Sequence, residues 1–470
     1  MQFSVGPIGA AILGLITLPI VAWFFSPEDI GRLSMLQVTI SFALLLFSLG
    51  LDQAYVREFH EVDDKSGLLK AVILPGLVIL GMTVIVILLL PWSVSELLFG
   101  IHSVFLSTLF FASVFLAFFS RFLSLILRME ERGLAFSMSQ LLPKLLFLVV
   151  LIIYVAIGVD AIFANLMAAY FISISFVFFL FTWNTRGQWP LIFVAKVDKT
   201  KLTQMLRYTI PLIGSGVAFW GLTAMDKIFL RSISSFEELG VYSVAVSFAG
   251  AALIFQTIFS TIWAPTVYKW AVQGVDPEKI IRTIDYATLA VLVIWSLAGM
   301  FSWIIIFITP ARYSHVQHIL LLAMAYPLLY TLSESTGVGI GIKRKTMFSM
   351  LAAVLALGVN ALANWLLIPV YGAAGAAMAS ALAFFIFFLI RTEISSKLWK
   401  SYERKKMYIS LLLLMSLSFL VNLINLHTLI VVILYGVMLC LSLIAYSVQV
   451  IRIRQYVVKN LCKVISKKVG

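Results

Sequence analysis

Long apolar runs, each bounded by charged or turn-forming residues, follow one another along almost the whole chain. A helix that crosses a hydrocarbon layer of roughly 30 Å needs about 20 consecutive, mostly apolar residues. The runs that reach this length lie near residues 4–25, 33–51, 71–91, 104–127, 137–157, 162–183, 208–230, 239–263, 284–308, 317–341, 346–368, 373–394, 408–426 and 429–450. The pattern therefore predicts about fourteen membrane-spanning segments.

These segments are predicted to be helices. They lack the alternation of apolar and polar residues that marks the strands of a membrane barrel, and lipid cannot satisfy the backbone of any open structure. The composition agrees, because 62% of the 470 residues are hydrophobic and only 12% are charged. No basic stretch precedes the first run and no small-residue cleavage site follows it, so we expect it to stay as a span. The fold class is an all-α polytopic membrane protein.

Basic residues are concentrated in every second connection between the spans. This set of connections, together with the C-terminal tail, holds 28 of the 34 Lys and Arg residues, whereas the alternate set holds only Arg32, Arg231 and Arg312. Short loops that carry Lys and Arg stay in the cytoplasm, so we predict that both termini are cytoplasmic. The net charge of +13 then favours contact with anionic lipids over binding of nucleic acid.

Two segments of the chain repeat one pattern. Residues 26–34 read S-P-E-D-I-G-R-L-S and residues 235–243 read S-F-E-E-L-G-V-Y-S, an offset of 209. Weaker matches link Ser137 with Ser349 at an offset of 212, and Gly158 with Gly372 at 214. Each offset equals six spans, an even number, so we predict two pseudo-symmetric bundles related by an axis along the membrane normal.

The duplication predicts five regions. They are an N-terminal six-helix bundle (1–184), a cytoplasmic connector (185–206), a C-terminal six-helix bundle (207–394), an appended two-helix hairpin (395–450) and a basic cytoplasmic tail (451–470).

Several motifs resemble those of the polysaccharide transporter family, within the multidrug, oligosaccharidyl-lipid and polysaccharide exporter superfamily. They are V-G-P-I-G and Pro19 in the first span, the S-P-E-D-I-G-R-L-S turn, L-G-L-D-Q-A-Y-V-R-E-F-H at 49–60, R-Y-T-I-P-L-I-G-S-G with M-D-K-I-F-L in the seventh span, and N-x-x-x-N-W-L-L-I-P-V-Y-G-A-A-G-A-A from Asn360. The likeness extends over almost the whole chain.

The resemblance implies a flippase of the bacterial inner membrane. Such a protein passes an undecaprenyl-pyrophosphate-linked oligosaccharide, such as an O-antigen, capsule or exopolysaccharide repeat unit, to the outer leaflet by alternating access. No cofactor is implied. The implied partners are the lipid-linked oligosaccharide, membrane lipids, and a polysaccharide polymerase with its chain-length regulator.

Cations inside apolar spans are the first candidates for a diphosphate site, because a charge at the centre of a membrane helix costs about 2.5–3.5 kcal/mol on insertion scales. Arg121, Lys144 and Lys227 lie within spans, and Arg57 and Arg231 lie at span ends. We predict a shared cationic cavity formed by these five residues. The alternative is that long side chains near helix ends reach back to the interface, which applies best to Arg57 and Arg231.

Two acids fall within spans and are candidates for ion coupling, namely Asp226 and Glu334. The alternatives are that Asp226 neutralises a nearby cation and that Glu334 lines the cavity passively. Asp52 and Arg57 could form a gate pair between the bundles, although a solvated helix end accounts for them better. His315 and His318 lack an acid or thiol partner in the sequence, so we predict no metal site there.

Two other functions compete with the flippase. A multidrug or organic-cation antiporter of the same superfamily would share the architecture, but three intramembrane cations against two acids favour an anionic cargo. A membrane polysaccharide polymerase or ligase would need catalytic groups outside the membrane, and the longest external stretch, 91–104, offers only Glu96 and His102. We therefore predict a membrane transporter and not an enzyme. No phosphate-binding glycine loop is present for ATP, so we expect the energy for transport to come from an ion gradient, the membrane potential or downstream pull.

Overall fold

The structure, a computed structural model, describes residues 2–424 and 426–455. Within these residues the secondary structure is helical throughout, with no strand. The predicted all-α fold class is therefore confirmed. Residues 456–470 of the predicted basic tail lie outside the described residues.

Ten helices cover the chain up to residue 233 in the described residues. They are α1 (Gln2–Phe24), α2 (Pro27–Phe47), α3 (Leu51–Glu58), α4 (Lys65–Leu89), α5 (Val94–Phe99), α6 (Val104–Met129), α7 (Gly133–Ala156), α8 (Phe163–Asn184), α9 (Trp189–Val194) and α10 (Lys199–Ile233).

Nine further α-helices follow in the described residues. They are α11 (Phe236–Val272), α12 (Pro277–Phe301), α13 (Ile305–Ile308), α14 (Val316–Ala323), α15 (Ala325–Thr336), α16 (Val338–Ile342), α17 (Met347–Leu398), α18 (Lys405–Ile424) and α19 (Thr428–Ala445), with single 3-10 turns at Ser302–Ile304 and Ala311–Tyr313.

The number of spans in the described residues differs from the sequence-based count. Eleven helical segments are long and apolar enough to cross a membrane, or up to twelve if the bent pair Lys199–Ile210 and Ile213–Ile233 is one span. Helix α1 is not among them, because its apolar part in the described residues, Ile8–Phe24, is shorter than 18 residues. In addition, α17 counts as one segment although it is 52 residues long and its backbone is non-helical at Gly372. The count of fourteen stays a prediction.

The chain separates into two compact units. Unit 1 comprises Met1–Ala251 and Asn360–Ala376, and unit 2 comprises Ala252–Val359 and Ala377–Gly470. The unit boundaries fall within two long helices, so α11 and α17 each contribute residues to both units.

Large aromatic side chains fill the interior of unit 1. Phe118 and Phe122 on α6 and Tyr55 on α3 are almost completely buried. The rings of Phe118 and Phe122 meet edge to face with their centroids 5.2 Å apart, which is a favourable arrangement for aromatic pairs. Helix α3 also packs against α6, beside the polar cavity described below.

Unit 2 is built around α12. Trp295 of α12 is fully buried and its indole N–H donates to the Leu321 carbonyl oxygen at 2.8 Å. Helices α18 and α19, from the predicted appended hairpin, pack against α12. The side-chain amide of Asn422 on α18 donates to the His318 carbonyl oxygen at 2.9 Å, which satisfies polar groups that lipid could not.

The two repeated turns meet each other inside unit 1 and form a contact that we call the outer crossing, between the first residues of α2 and of α11. A Cβ atom at Gly31 would collide with the carbonyl oxygen of Phe236, and a Cβ atom at Gly240 would collide with that of Pro27. The hydroxyl of Ser243 donates to that of Ser34 at 2.8 Å. All three relations follow the offset of 209, since 236, 240 and 243 correspond to 27, 31 and 34.

A local twofold axis produces such reciprocal contacts. Gly31 of the first turn meets Phe236 of the second, and the equivalent residues Gly240 and Pro27 meet in the same way. Small residues at the contact allow the two backbones to approach closely, as is usual between helices in lipid. The local geometry therefore agrees with the duplication seen in the sequence. A superposition of the two complete halves stays a prediction.

Gly372 interrupts α17 next to the point where Glu238 of the second repeated turn contacts this helix. Its φ of 52° and ψ of −127° lie in a region that residues with a Cβ atom rarely adopt. The following helical segment is capped by Glu238, whose carboxylate accepts from the Ala373 backbone N–H at 2.6 Å. An acid at a helix N-terminus also interacts favourably with the helix dipole.

The outer crossing makes a testable prediction about stability. Gly31→Ala or Gly240→Ala should destabilise the protein by about 1–3 kcal/mol, because the added methyl group forces the two backbones apart. Gly81→Ala in α4 is the matched control, since nothing lies within 4 Å of a Cβ atom at that position. Thermal unfolding of the purified full-length chain in detergent measures the effect. Equal melting temperatures for all three variants would contradict the close contact.

Candidate functional site

A polar cavity of about 500 Å³ lies within unit 1, between α2, α3, α6 and α10. On α2 it is lined by Ser41, Leu44, Leu45 and Ser48, which follow the i, i+3, i+4, i+7 spacing of one helix face. The described lining continues with Gly50, Asp52, Gln53, Arg121, Ile213, Gly216, Phe219, Trp220 and Thr223. Polar side chains inside an otherwise apolar membrane protein mark a candidate functional site.

An ion pair defines one wall of this cavity. The Arg121 Nη2 atom on α6 donates to the Asp52 Oδ2 atom on α3 at 2.6 Å. The same carboxylate oxygen accepts from the Gln53 side-chain amide at 3.1 Å. Asp52 can reach this position because Gly50, with a φ of 66°, turns the chain between α2 and α3. The Asp52 side chain is 8% exposed, whereas that of Arg121 is 47% exposed.

Trp220 of α10 forms a second wall. Its indole N–H donates to the Ser41 hydroxyl at 2.9 Å, and its ring packs against Phe42 with centroids 4.5 Å apart. Both contacts restrict the rotation of the side chain. Sequence analysis did not select Trp220, although it is a tryptophan in the middle of an apolar span rather than at an interface, which is an available signal.

Of the five cations predicted to form one cationic cavity, Arg121 lines the cavity in unit 1. Lys144 on α7 donates from Nζ to the Ala10 carbonyl oxygen of α1 at 2.7 Å. Lys227 on α10 follows Asp226 directly in the chain and is partly buried. Lys144 therefore contacts the backbone of α1 and not the Asp52 carboxylate.

The two arginines at span ends stack on aromatic rings. The Arg57 guanidinium lies 4.6 Å from the centroid of the Tyr208 ring. The Arg231 guanidinium lies 4.5 Å from the Phe236 ring and donates to the Leu97 carbonyl oxygen at 3.3 Å. Asp52 pairs with Arg121 and not with Arg57, so the geometry brings together two residues that sequence analysis treated separately.

Asp226 lies in a cluster of neutral hydrogen-bond donors that joins α10, α11 and α17. It is 1% exposed. Its Oδ1 atom accepts from the side-chain amides of Asn360 and Asn364, each at 2.9 Å, and its Oδ2 atom accepts from the Tyr242 hydroxyl at 2.5 Å. Asn364 also donates to Asn360 at 3.1 Å, so this cluster fixes the Asn-x-x-x-Asn motif against the acid.

Glu334 on α15 belongs to a smaller cavity of about 150 Å³ inside unit 2. The Ser260 hydroxyl donates to the Glu334 carboxylate, and the indole N–H of Trp263 donates to the Glu334 carbonyl oxygen at 3.2 Å. Arg391 lines the same cavity, donates to the Ser333 hydroxyl at 2.9 Å and lies 5.2 Å from the Phe387 ring centroid.

Arg391 was missed because sequence analysis counted it among the basic residues of a cytoplasmic connection. In the structure α17 continues to Leu398, so Arg391 is still inside the helix. The available signal was the uninterrupted apolar run that leads directly into it. Among the described residues no group of three or more His, Cys, Asp or Glu side chains is arranged to hold a metal ion.

Comparison with known proteins places this geometry in a family. A family model described as polysaccharide biosynthesis protein matches residues 3–270. The chain is similar to the lipid II flippase MurJ in its inward closed conformation, with 15% sequence identity, a TM-score of 0.68, and coverage of 95% of this chain and 99% of that one. No curated protein matches the chain by sequence.

A second solved structure also shares the fold. It is the inward-facing conformation of a multidrug resistance MATE family transporter of the MOP superfamily, with 15% identity, a TM-score of 0.55, and coverage of 86% of this chain and 96% of that one. At these identities the likeness shows the fold and not the substrate. The matches together confirm the resemblance that the sequence motifs indicated.

The cluster around Asp226 makes a prediction about stability. Tyr242→Phe removes one of the donors to a buried carboxyl group and should destabilise the protein by about 1.5–3 kcal/mol. Tyr371→Phe is the control, because Tyr371 is 41% exposed. Thermal unfolding in detergent compares the two variants. Identical unfolding of Tyr242→Phe and Tyr371→Phe would show that the cluster contributes little.

Proposed function

Because the chain belongs to the polysaccharide biosynthesis protein family, whose model matches more than half of it, we propose that it is a flippase for lipid-linked oligosaccharides. It moves an undecaprenyl-pyrophosphate-linked repeat unit of an O-antigen, capsule or exopolysaccharide from the cytoplasmic to the outer leaflet of a bacterial inner membrane. It works by alternating access and without a cofactor.

The observation that carries this proposal is the polar cavity inside unit 1. A sugar chain cannot enter hydrocarbon without losing the hydrogen bonds that its hydroxyl groups make with water. A carrier must therefore replace those bonds with groups of its own. Asp52, Gln53, Arg121 and the neighbouring hydroxyl groups can do so within a volume of about 500 Å³. The fold is shared with the lipid II flippase MurJ, so it is compatible with a lipid-linked cargo.

We further propose how the charges of the chain are used. Lys144 and Lys227, together with Arg57 and Arg231 near the span ends, attract the diphosphate of the substrate. Arg121 differs from them because it donates to Asp52 at 2.6 Å, whereas the ion pair of Arg57 with Glu58 is longer, at 3.9 Å. Asp226 and Glu334 are the candidates for coupling transport to an ion gradient, since each is an acid inside a span with polar neighbours.

Export of the polymer tests the function. In a strain that lacks the gene, the double variant Lys144→Gln/Lys227→Gln should reduce export by about 100-fold or more at matched membrane levels. The reason is that each lost charge-assisted contact to a diphosphate is worth about 1.5–3 kcal/mol. Lys345→Gln, an exposed cation between α16 and α17, is the control and should export normally. Full export by the double variant would refute the role of these lysines.

The multidrug antiporter is the second candidate, because the fold is also that of a MATE family transporter. An antiporter of this kind would raise the resistance of a drug-sensitive strain to organic cations and leave polymer export unchanged. The flippase restores export in the deletion strain and leaves drug resistance unchanged. Measuring both properties in the same two strains separates the candidates.

The proposed orientation has its own test. A reporter fused after Gly470 should be active only when the reporter works in the cytoplasm, because the basic set of connections lies on the same side as the C-terminal tail. A fusion after Arg312, which belongs to the sparsely charged set, is the control and should report the opposite side. Activity of the Gly470 fusion in the periplasm would reverse the assignment.

A further inference from the structure

We propose that the polar cavity of unit 1 is a saccharide subsite in which Trp220 supports a sugar ring and the Asp52–Arg121 pair binds its hydroxyl groups. The diphosphate of the same substrate is bound elsewhere. This inference rests on the proposed function, in which the cargo is a lipid-linked oligosaccharide, and it assigns one chemical part of that cargo to one cavity.

The charge of the cavity is the first argument. Arg121 and Asp52 are joined at 2.6 Å, so the pair presents no net charge to a ligand when both groups are ionised. A diphosphate carries several negative charges and would be repelled by the Asp52 carboxylate as well as attracted by Arg121. A sugar hydroxyl can accept from the guanidinium and donate to the carboxylate at the same time, so the intact pair suits a neutral polyol.

Accessibility of the pair is the second argument. Asp52 is almost buried, but the Arg121 side chain is 47% exposed and lines the cavity. A guanidinium has five N–H donors in one plane, so its contact with one carboxylate oxygen does not use its full capacity. Arg121 can therefore keep its contact with Asp52 while it donates to a ligand.

Trp220 supplies the third argument. The face of a pyranose ring that carries C–H groups is apolar, and an aromatic ring is the usual surface on which it can be buried. The Trp220 ring is held by Phe42 on one side and by the Ser41 hydroxyl at its N–H, before any ligand arrives. A fixed ring loses little conformational entropy on binding, which favours affinity.

The other polar residues that line the cavity can also form hydrogen bonds with a saccharide. The hydroxyl groups of Ser41, Ser48 and Thr223 donate to backbone carbonyl oxygens of their own helices and can accept from a ligand, and the Gln53 side-chain amide can both donate and accept. The volume of about 500 Å³ falls within the range of about 300–1,000 Å³ that small-molecule sites occupy. A second cavity of unit 1, of about 350 Å³, is instead lined mainly by apolar residues such as Phe47, Leu80 and Phe111, so the two cavities suit different chemical groups.

The experiment measures protection of a single cysteine inside the cavity. Thr223→Cys is introduced into the full-length chain after Cys440→Ser and Cys462→Ser, and its alkylation by a maleimide is followed in detergent. The probes are a panel of neutral hexose and N-acetylhexosamine disaccharides, and inorganic pyrophosphate. At least one disaccharide should slow alkylation by threefold or more at millimolar concentration, while pyrophosphate should leave the rate unchanged.

Variants identify the groups that cause protection. Trp220→Ala should abolish protection by the disaccharide, and Trp220→Phe should retain part of it because an aromatic face remains. Trp365→Ala is the matched control, since Trp365 is 64% exposed and lies outside the cavity lining. Asp52→Asn leaves Arg121 without its charged partner, so this variant should gain protection by pyrophosphate. That gain also shows that the assay can detect a bound diphosphate.

Three outcomes would overturn the proposal. They are stronger protection of the unsubstituted cavity by pyrophosphate than by every disaccharide, unchanged protection in Trp220→Ala, and protection by none of the probes while Asp52→Asn responds to pyrophosphate. The export assay with Lys144 and Lys227 is independent of this cavity. Lost export in that double variant without disaccharide protection would leave the flippase function standing and remove the saccharide subsite alone.

Discussion

The structure of unit 1 depends on the compensation of charged groups within the membrane, and the ion pair between Asp52 and Arg121 is one example. A charged side chain in a protein surrounded by lipid is stable only where other groups of the chain compensate it. The two side chains meet this requirement by their contact at 2.6 Å. Both also line the adjacent polar cavity. Removing Arg121 would leave the nearly buried Asp52 carboxylate without its charged partner, which is less favourable than removing both groups.

The same constraint explains the other acids of unit 1. Asp226 accepts from two side-chain amides and a tyrosine hydroxyl, so neutral donors contribute to the compensation of its carboxyl group. Glu238 caps a helical segment through the Ala373 N–H. In each case the acid connects helices that are far apart in sequence. The hydrogen bonds that compensate these acids therefore also hold helices together. Such contacts matter because lipid provides no hydrophobic force between apolar helices.

The outer crossing shows how duplication and packing depend on each other. Gly31 and Gly240 permit a close contact between backbones, and Ser34 and Ser243 close it with a hydrogen bond at 2.8 Å. Since the equivalent residues of the two turns face one another, a change in one turn is felt in the other. The lining of the polar cavity likewise draws on both sequence halves, with Asp52 and Arg121 from the first and Trp220 from the second.

The sequence by itself determined the helical membrane fold, because the apolar runs and their lengths are local properties that lipid translates directly into helices. The motifs also indicated the family correctly. The repeat at an offset of 209 could be recognised in the sequence alone, and the contacts between the two turns follow the same offset. Only the tertiary structure decided that Asp52 pairs with Arg121, 69 residues away, rather than with Arg57, and that Arg391 lies inside a helix beside Glu334. The physical reason is that periodicity shows which residues share one helix face, whereas partners across a site depend on which helices pack together and at what height.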